Sequence, residues 1–460
     1  MTIFALMSVL MMLIVGGLGV DLMQQEMERT QRQNTLDRAI LAAADLDQLQ
    51  DPGAVVNDYY SKSGYSEVVN VNVEEGINFR TVTASARIDM PTRYMSMVGT
   101  DDLPIWVGGS ATEWVPNLEI SLVLDISGSM RNSSRMDNLR PAARNFVTSV
   151  LEGDMAQHTS INLIPYAGQT NVGPFMFNRL NGQRYAEVEL AESDGGIVST
   201  SSWPENTSWD NDEDTYHVFP NVTSCLELQS DDFTHSRLPE RSSYDQVPHF
   251  MYWTIAASVM DWGWCPYDAT SIQYAQNNKT ALHNFINGMR MHDGTGTAYG
   301  MKYALALLDP TSQDDFAAMS TAGLVPSQYS NRPANWADTE TAKYIVLMTD
   351  GQITDQWRPK NGMHDDNATV ELKNQASSRK EKIHSASTNV NRFYAICDLA
   401  KAEPRNIVIY TIAFEAPSNA KTQMRNCASS PSHFFDVQGA EIDEVFQSIA
   451  RQVRQLRLVY

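Results

Sequence analysis

Residues Leu118–Ser129 read LEISLVLDISGS. A mostly apolar run of strand length ends in a carboxylate, and hydroxyls follow at Ser127 and Ser129. In a parallel α/β sheet, ligands bind beyond the carboxyl ends of the strands. Three oxygen side chains at alternate positions can turn toward one point there. One carboxylate and two hydroxyls make a hard, oxygen-only site, suited to Mg²⁺ and also to Mn²⁺ or Ca²⁺.

The segments around this run predict the sheet that would hold it. Ser160–Pro165 (SINLIP), Tyr344–Met348 (YIVLM) and Ile407–Ala413 (IVIYTIA) are short apolar strands. Helical patterns lie at Leu139–Leu151, Asn278–Met291, Ala298–Leu308, Asn389–Lys401 and Glu441–Leu456. Apolar strands alternating with helices predict an α/β domain, mainly parallel, with helices on both faces. Asp350-Gly351 follows YIVLMT, again a carboxylate at a strand end, and Thr295-Gly296-Thr297 opens a helix. Taken singly, Asp125 is a helix-capping aspartate and Asp350 a turn residue. Together and in this order, Asp125, Ser127, Ser129, Thr295 and Asp350 point to one metal site. Thr297, two residues on, is an alternative to Thr295.

A stretch at about 180–275 interrupts the alternation. It holds Trp203, Trp209, Trp253, Trp262 and Trp264, and 16 Asp and Glu against 3 Arg and no Lys. More than half of the chain's net charge of −21 therefore lies there. It reads as a folded, loop-rich insertion of the kind that carries either recognition or packing. Asp210–Asp214 (DNDED) starts like a calcium loop, but Thr215 stands where glycine is needed and Asn221 where glutamate is, so it is set aside.

Toward the N-terminus, Ile3–Val20 (IFALMSVLMMLIVGGLGV) carries no charge. As a helix it spans about 27 Å, enough for one membrane crossing. No basic residue precedes it and no small-x-small cleavage pattern follows, so an uncleaved anchor over residues 1–24 is expected rather than a signal peptide. Arg29, Arg32 and Arg38 follow the run, which by the positive-inside rule weakly favours a cytoplasmic C-terminal side. Only Met1 and Thr2 precede it, and a reading frame that begins further upstream with basic residues is expected. Residues 25–116 read as a helical stalk, stopped by Asp51-Pro52-Gly53, and a small sheet from Val68–Val73 and Phe79–Ile88. Residues 117–460 form the large domain.

Cys225, Cys265, Cys397 and Cys427 form an even set without C-x-x-C spacing, which disfavours zinc and thioredoxin chemistry. Three pairings are open to them. Neighbour pairing, Cys225–Cys265 with Cys397–Cys427, closes the shortest loops and is the pairing expected; four buried thiols are the alternative. Disulfides would put the domain outside the cytoplasm. The negative charge argues against binding nucleic acid. With no phosphate loop, nucleophile elbow or zinc helix motif, and no histidine placed to activate Ser127, no enzyme activity is expected.

The motif set Asp125-x-Ser127-x-Ser129, Thr295 and Thr349-Asp350-Gly351 resembles that of a von Willebrand factor type A domain, over about Leu118–Leu458 apart from the insertion. The resemblance implies a metal-ion-dependent adhesion site, with serines and threonine approaching the cation directly and the aspartates partly through water. It leaves one position for an acidic residue of a protein partner. More narrowly, IFALMSVLMMLIVGGLGVD, RAILAAADLDQ, CDLAKAEPRNIVIYTIAFE and NCASSPSHFFDV resemble TadG-type proteins of bacterial tight-adherence (Flp) pilus assembly. That resemblance implies a pilin-like helix anchoring the domain from the inner membrane into the periplasm or at the cell surface, with Cys397 facing Cys427. The expected partners are pilin or other pilus machinery, and the membrane. The rival expectations are a surface adhesin with no pilus role and, from another class, a regulatory subunit of an ATPase such as a metal chelatase.

Overall fold

The computed structural model describes residues 2–46, 48–76, 79–114, 117–153, 155–183, 189–191, 197–199, 208–212, 215–218, 223–253, 259–261, 263–360 and 371–454. The chain divides into two compact units, Met1–Pro116 and Asn117–Gln455.

In the first unit, α1 (Thr2–Ala44) is one helix, long and apolar enough in its first half to cross a membrane by length and composition. Its last turns bury Leu36, Ala39, Ile40 and Ala43, a helical i, i+3, i+4, i+7 stripe. The stripe packs with Val55, Val56 and Tyr60 of α2 (Pro52–Lys62) and with Val82, Ala84, Ala86, Ile105 and Val107 of an antiparallel sheet. That sheet is β1 (Val69–Glu75), β2 (Phe79–Pro91) and β3 (Asp102–Trp114), in that order. One expectation is corrected here, and one strand was missed. Asp51-Pro52-Gly53 does not stop a helix but starts one. The Asp51 carboxylate accepts from Ala54 N at 2.8 Å, and Pro52 occupies the first turn, where its missing N–H costs nothing. The third strand was not anticipated, because Pro104, Gly108 and Gly109 demote it as a strand. Proline is tolerated on this edge strand. A β-carbon on Gly109 would lie 3.4 Å from Ile40 Cδ1, so β3 comes close to α1.

The second unit is built on six strands. β4 (Asn117–Asp125), α3 (Arg135–Val150) and β5 (Thr159–Tyr166) are followed by β6 (Gln273–Gln276). Next come α4 (Lys279–Gly288), α5 (Thr297–Ala306) and β7 (Thr341–Thr349). Beyond a hairpin of β8 (Gln356–Pro359) and β9 (Lys380–His384) lie α6 (Ala386–Lys401), β10 (Val408–Phe414), α7 (Ser418–Cys427), β11 (Phe434–Val437) and α8 (Glu441–Arg454). Helix α3 lies against α8, Phe146 meeting Phe446 edge-on at 5.7 Å. The sheet order is β6-β5-β4-β7-β10-β11, parallel throughout except for the β6–β5 pair. β4 lies near the middle, and its residues from Leu118 to Asp125 are all buried. Leu118, Ile120, Leu122 and Leu124 face Phe146, Val147, Phe446 and Ile449, while Val123 joins the opposite core with Ala298, Phe393 and Ile396. This is the architecture that the von Willebrand type A resemblance implies.

Most of the insertion's described residues lie in 223–253, 259–261 and 263–275. Leu226, Leu228, Phe233, Leu238 and Tyr244 join the α5 core, and Lys302 of α5 donates to the carbonyls of His235 (2.8 Å) and Arg237 (2.7 Å). Phe250, Tyr252, Trp264 and Leu372 form a second cluster, flanked by Trp253 and Trp357. This part of the insertion is thus folded onto the domain, and the β8–β9 hairpin extends the covering layer. Trp203, Trp262 and Glu213-Asp214 lie outside the described residues.

Cys225–Cys265 and Cys397–Cys427 are disulfide-bonded, across sequence separations of 40 and 30 residues. The second ties α6 to α7. Peptide mapping without reductant should recover both pairs, and Cys397→Ser/Cys427→Ser should lower stability by roughly 2–4 kcal/mol in a urea titration. Unchanged stability would mean that packing alone holds α7.

Candidate metal site

β4 and β7 are adjacent and parallel, with Met348 opposite Leu124, so their carboxyl ends deliver Asp125 and Asp350 to one edge of the sheet. Past β4 the chain turns sharply, and the Asp125 carboxylate accepts from Ser127 N at 2.8 Å. The turn aims Ser127 Oγ and Ser129 Oγ at each other, 3.0 Å apart, and Ser129 Oγ donates to Asp350 Oδ1 at 2.7 Å.

Thr295 comes from a loop wedged between the ends of β4 and β5. His292 N donates to Ile126 O (2.9 Å), Gly168 N to Asp293 O (2.8 Å) and Gly296 N to Ala167 O (2.6 Å). The wedge requires glycine. Gly294 has φ +79°, and a β-carbon on Gly296 would stand 2.2 Å from Gly168 O, a backbone atom that cannot swing aside. A β-carbon on Gly351 would lie 3.3 Å from Thr295 Oγ1 and 3.4 Å from Ser129 Oγ, so both hydroxyls border the backbone beside Asp350. The structure therefore brings together all five residues expected to form the site. Thr297 Oγ1 lies 3.4 Å from the hydroxyl of Tyr166, which also borders Asp125.

The electrostatics of the two carboxylates differ. Asp125 is fully buried; its second oxygen accepts from Thr349 Oγ1 (2.6 Å) and Tyr166 OH (3.3 Å), all its donors being neutral. Burial first, and then the charge of Asp350, push its pKa up to about 7, against the hydrogen bonds from Ser127 and Thr349. Burial also raises Asp350, but Arg135 opposes it: Nη1 donates to Asp350 Oδ2 at 2.7 Å. The same guanidinium bonds Glu415 Oε2 at 3.0 Å. Thr349 is legible as the residue before the Asp-Gly turn. Tyr166, Arg135 and Glu415 were not anticipated; Arg135 and Asp350 are 215 positions apart, and no local pattern marks such a pair.

Among the described residues, no group of three or more His, Cys, Asp or Glu side chains is placed to hold a metal ion. The donor set here is two carboxylates and three hydroxyls, oxygen only, with one carboxylate desolvated beyond what its neutral partners offset. That chemistry fits a divalent cation. Beside it opens a cleft of about 430 Å³, bordered by Ser129, Arg131, Trp253, Met260 and Glu371. Trp253 and Met260 belong to the insertion.

Residues 1–46 match the family model described as Flp pilus-assembly TadE/G-like. No curated protein matches the chain. Among solved structures, the chain is similar to the vWF domain of the type V pili tip protein Mfa5 from Porphyromonas gingivalis. Identity is 13% and the TM-score 0.36, with 75% of this chain and 99% of that one covered. It is also similar to the pilus adhesin SpaC from Lactobacillus rhamnosus GG (12%, TM-score 0.34) and the pilus adhesin RrgA from Streptococcus pneumoniae (11%, TM-score 0.35). Both alignments take in 84% of this chain, which spans 34% of SpaC and 49% of RrgA. These are loose likenesses of overall shape.

Gly296→Ala should cost about 1–3 kcal/mol or more in urea denaturation, because the clash is with backbone. A cost within about 0.5 kcal/mol of zero would show that the loop carrying Thr295 is not clamped as described.

Proposed function

We propose that this chain is a membrane-anchored, extracytoplasmic component of a bacterial tight-adherence pilus assembly system, and that it binds a protein partner through a metal-dependent site. The observation that carries the reading is the convergence of five oxygen side chains at the carboxyl edge of the sheet, on a chain whose first 46 residues match a pilus-assembly family model. Two disulfides and an N-terminal helix of membrane-crossing length support the address. The helix would anchor the chain in the inner membrane, with the large domain in the periplasm or at the cell surface.

Asp125, Ser127, Ser129, Thr295 and Asp350 would hold a divalent cation, Mg²⁺ first, with Mn²⁺ and Ca²⁺ as alternatives. The cation would supply positive charge and a position for a carboxylate of the partner. The protein's own part is to keep the donors fixed before binding. Thr349 and Tyr166 orient Asp125, Ser129 holds one oxygen of Asp350, and Arg135 holds the other. Arg135 also sets a limit, since its fixed positive charge beside Asp350 repels an incoming cation. We read the arrangement as one of binding.

Thermal melts in EDTA, Mg²⁺, Mn²⁺ and Ca²⁺ test the metal. The native state should gain about 2.7 kcal/mol at a hundredfold excess over Kd. Asp125→Ala should abolish the gain, and Arg135→Gln should tighten metal binding by roughly tenfold through loss of the repulsion. In cells, Asp125→Ala should abolish piliation at unchanged protein level. Identical melts in all four conditions would sink the metal, and normal piliation by the variant would sink the partner role.

A further inference from the structure

The connection between β2 and β3 is an exposed loop, Thr92–Asp101, whose short turn reads Arg93-Tyr94-Met95-Ser96-Met97-Val98. Tyr94 is 43%, Met97 65% and Val98 51% exposed, three large apolar side chains within five residues. Isolated exposed apolar residues need no explanation, but a contiguous set does. Its position on α1 supplies one. A β-carbon on Gly17 would stand 2.7 Å from Tyr94 Cβ, so the loop lies directly against the last turn of the uncharged run Ile3–Val20.

A single carboxylate holds the loop there. Asp21, the first charged residue after the run, is 1% exposed although it stands on a largely exposed stretch of helix. Its oxygens accept three consecutive backbone N–H groups, from Arg93 (3.1 Å), Tyr94 (2.8 Å) and Met95 (2.7 Å). Three converging amides can satisfy a carboxylate with no cation. A glycine at position 17 and an aspartate at position 21, one turn apart on the same face, therefore dock this loop and set its height on the helix.

We propose that the loop Arg93–Val98 dips into the lipid bilayer beside α1, with Met97 and Val98 in the acyl boundary and Tyr94 and Arg93 at the headgroups. The inference rests on the anchor reading of α1. Its occupant is lipid because the loop's apolar side chains continue the apolar surface of the helix at the level where the run ends. Tyrosine and arginine are residue types favoured at that interface. The loop would turn the anchor from a single rod, free to tilt, into a two-point footing.

The test uses the full chain, reconstituted in phosphatidylcholine vesicles that carry nitroxide-labelled lipid. A fluorophore is attached at Met97→Cys, Val15→Cys or Glu74→Cys. Val15 is exposed on the apolar run, and Glu74 lies at the opposite end of β2 from the loop. Lipid nitroxides should quench the label at 97 and at 15 but not at 74. Adding Asp21→Ala should remove the quenching at 97 and leave that at 15. Quenching at 15 without quenching at 97 would overturn the loop assignment while leaving the anchor intact. A label at 97 that is blue-shifted yet unquenched would identify a protein neighbour instead of lipid and also overturn it. If neither 15 nor 97 is quenched, the anchor reading fails and the inference with it.

Discussion

Two carboxylates buried side by side at the ends of adjacent parallel strands repel each other, and much of the second unit's upper edge is organised around that repulsion. Asp125 and Asp350 are nearly devoid of solvent, and neither can recruit water to spread its charge. Neutral hydroxyls and an amide surround the first, and a guanidinium takes one oxygen of the second. Such an edge is poised for added positive charge. The glycine-lined wedge that brings in Thr295 and the turn after β4 that brings in the serines put hydroxyl oxygens around it. The folding energy of the sheet and its two helical layers thus holds in place a cluster that would relax apart on a flexible scaffold.

The same problem is solved differently in the first unit. Asp21 is equally buried, but three amides of one turn surround it, and its charge is satisfied within the protein. One carboxylate is closed by backbone and docks a loop; the other has only neutral donors around it. The difference lies in the donors. Consecutive N–H groups of a tight turn converge on one point, whereas the end of a β-strand offers one amide and whatever side chains the neighbouring strands bring.

Two acids of the insertion hold its structure together. Asp232 accepts the hydroxyl of Tyr244 and caps Gln229 N, and Glu227 forms a fork with Arg358. These acids stabilise the insertion's own turns and its attachment to the β8–β9 hairpin. Trp253 and Met260, in contrast, border the cleft beside the candidate site. The segment therefore packs onto the domain and also borders the cleft beside the candidate site.

Periodicity and local chemistry were enough to read the alternating strands and helices of the large domain, the apolar helix, and the alignment of Asp125, Ser127 and Ser129 at a strand end. Each is a property of neighbouring residues, because the apolar pattern dictates which face is buried and a strand's end dictates where its last carboxylate stands. The same local reading misjudged Asp51-Pro52-Gly53, whose residues both end and begin helices, and passed over β3, whose proline and glycines are tolerated only because it is an edge strand packed close to α1. Tertiary structure alone decided the rest. It brought the Thr295 and Ser129 hydroxyls to the glycine beside Asp350, paired Arg135 with Asp350 across 215 residues, and set Tyr94 against Gly17 with Asp21 beneath it. Those contacts join chain segments that share no local pattern, and their distances follow from how the sheet twists and the helices pack. Composition and spacing do not encode that except through the whole fold.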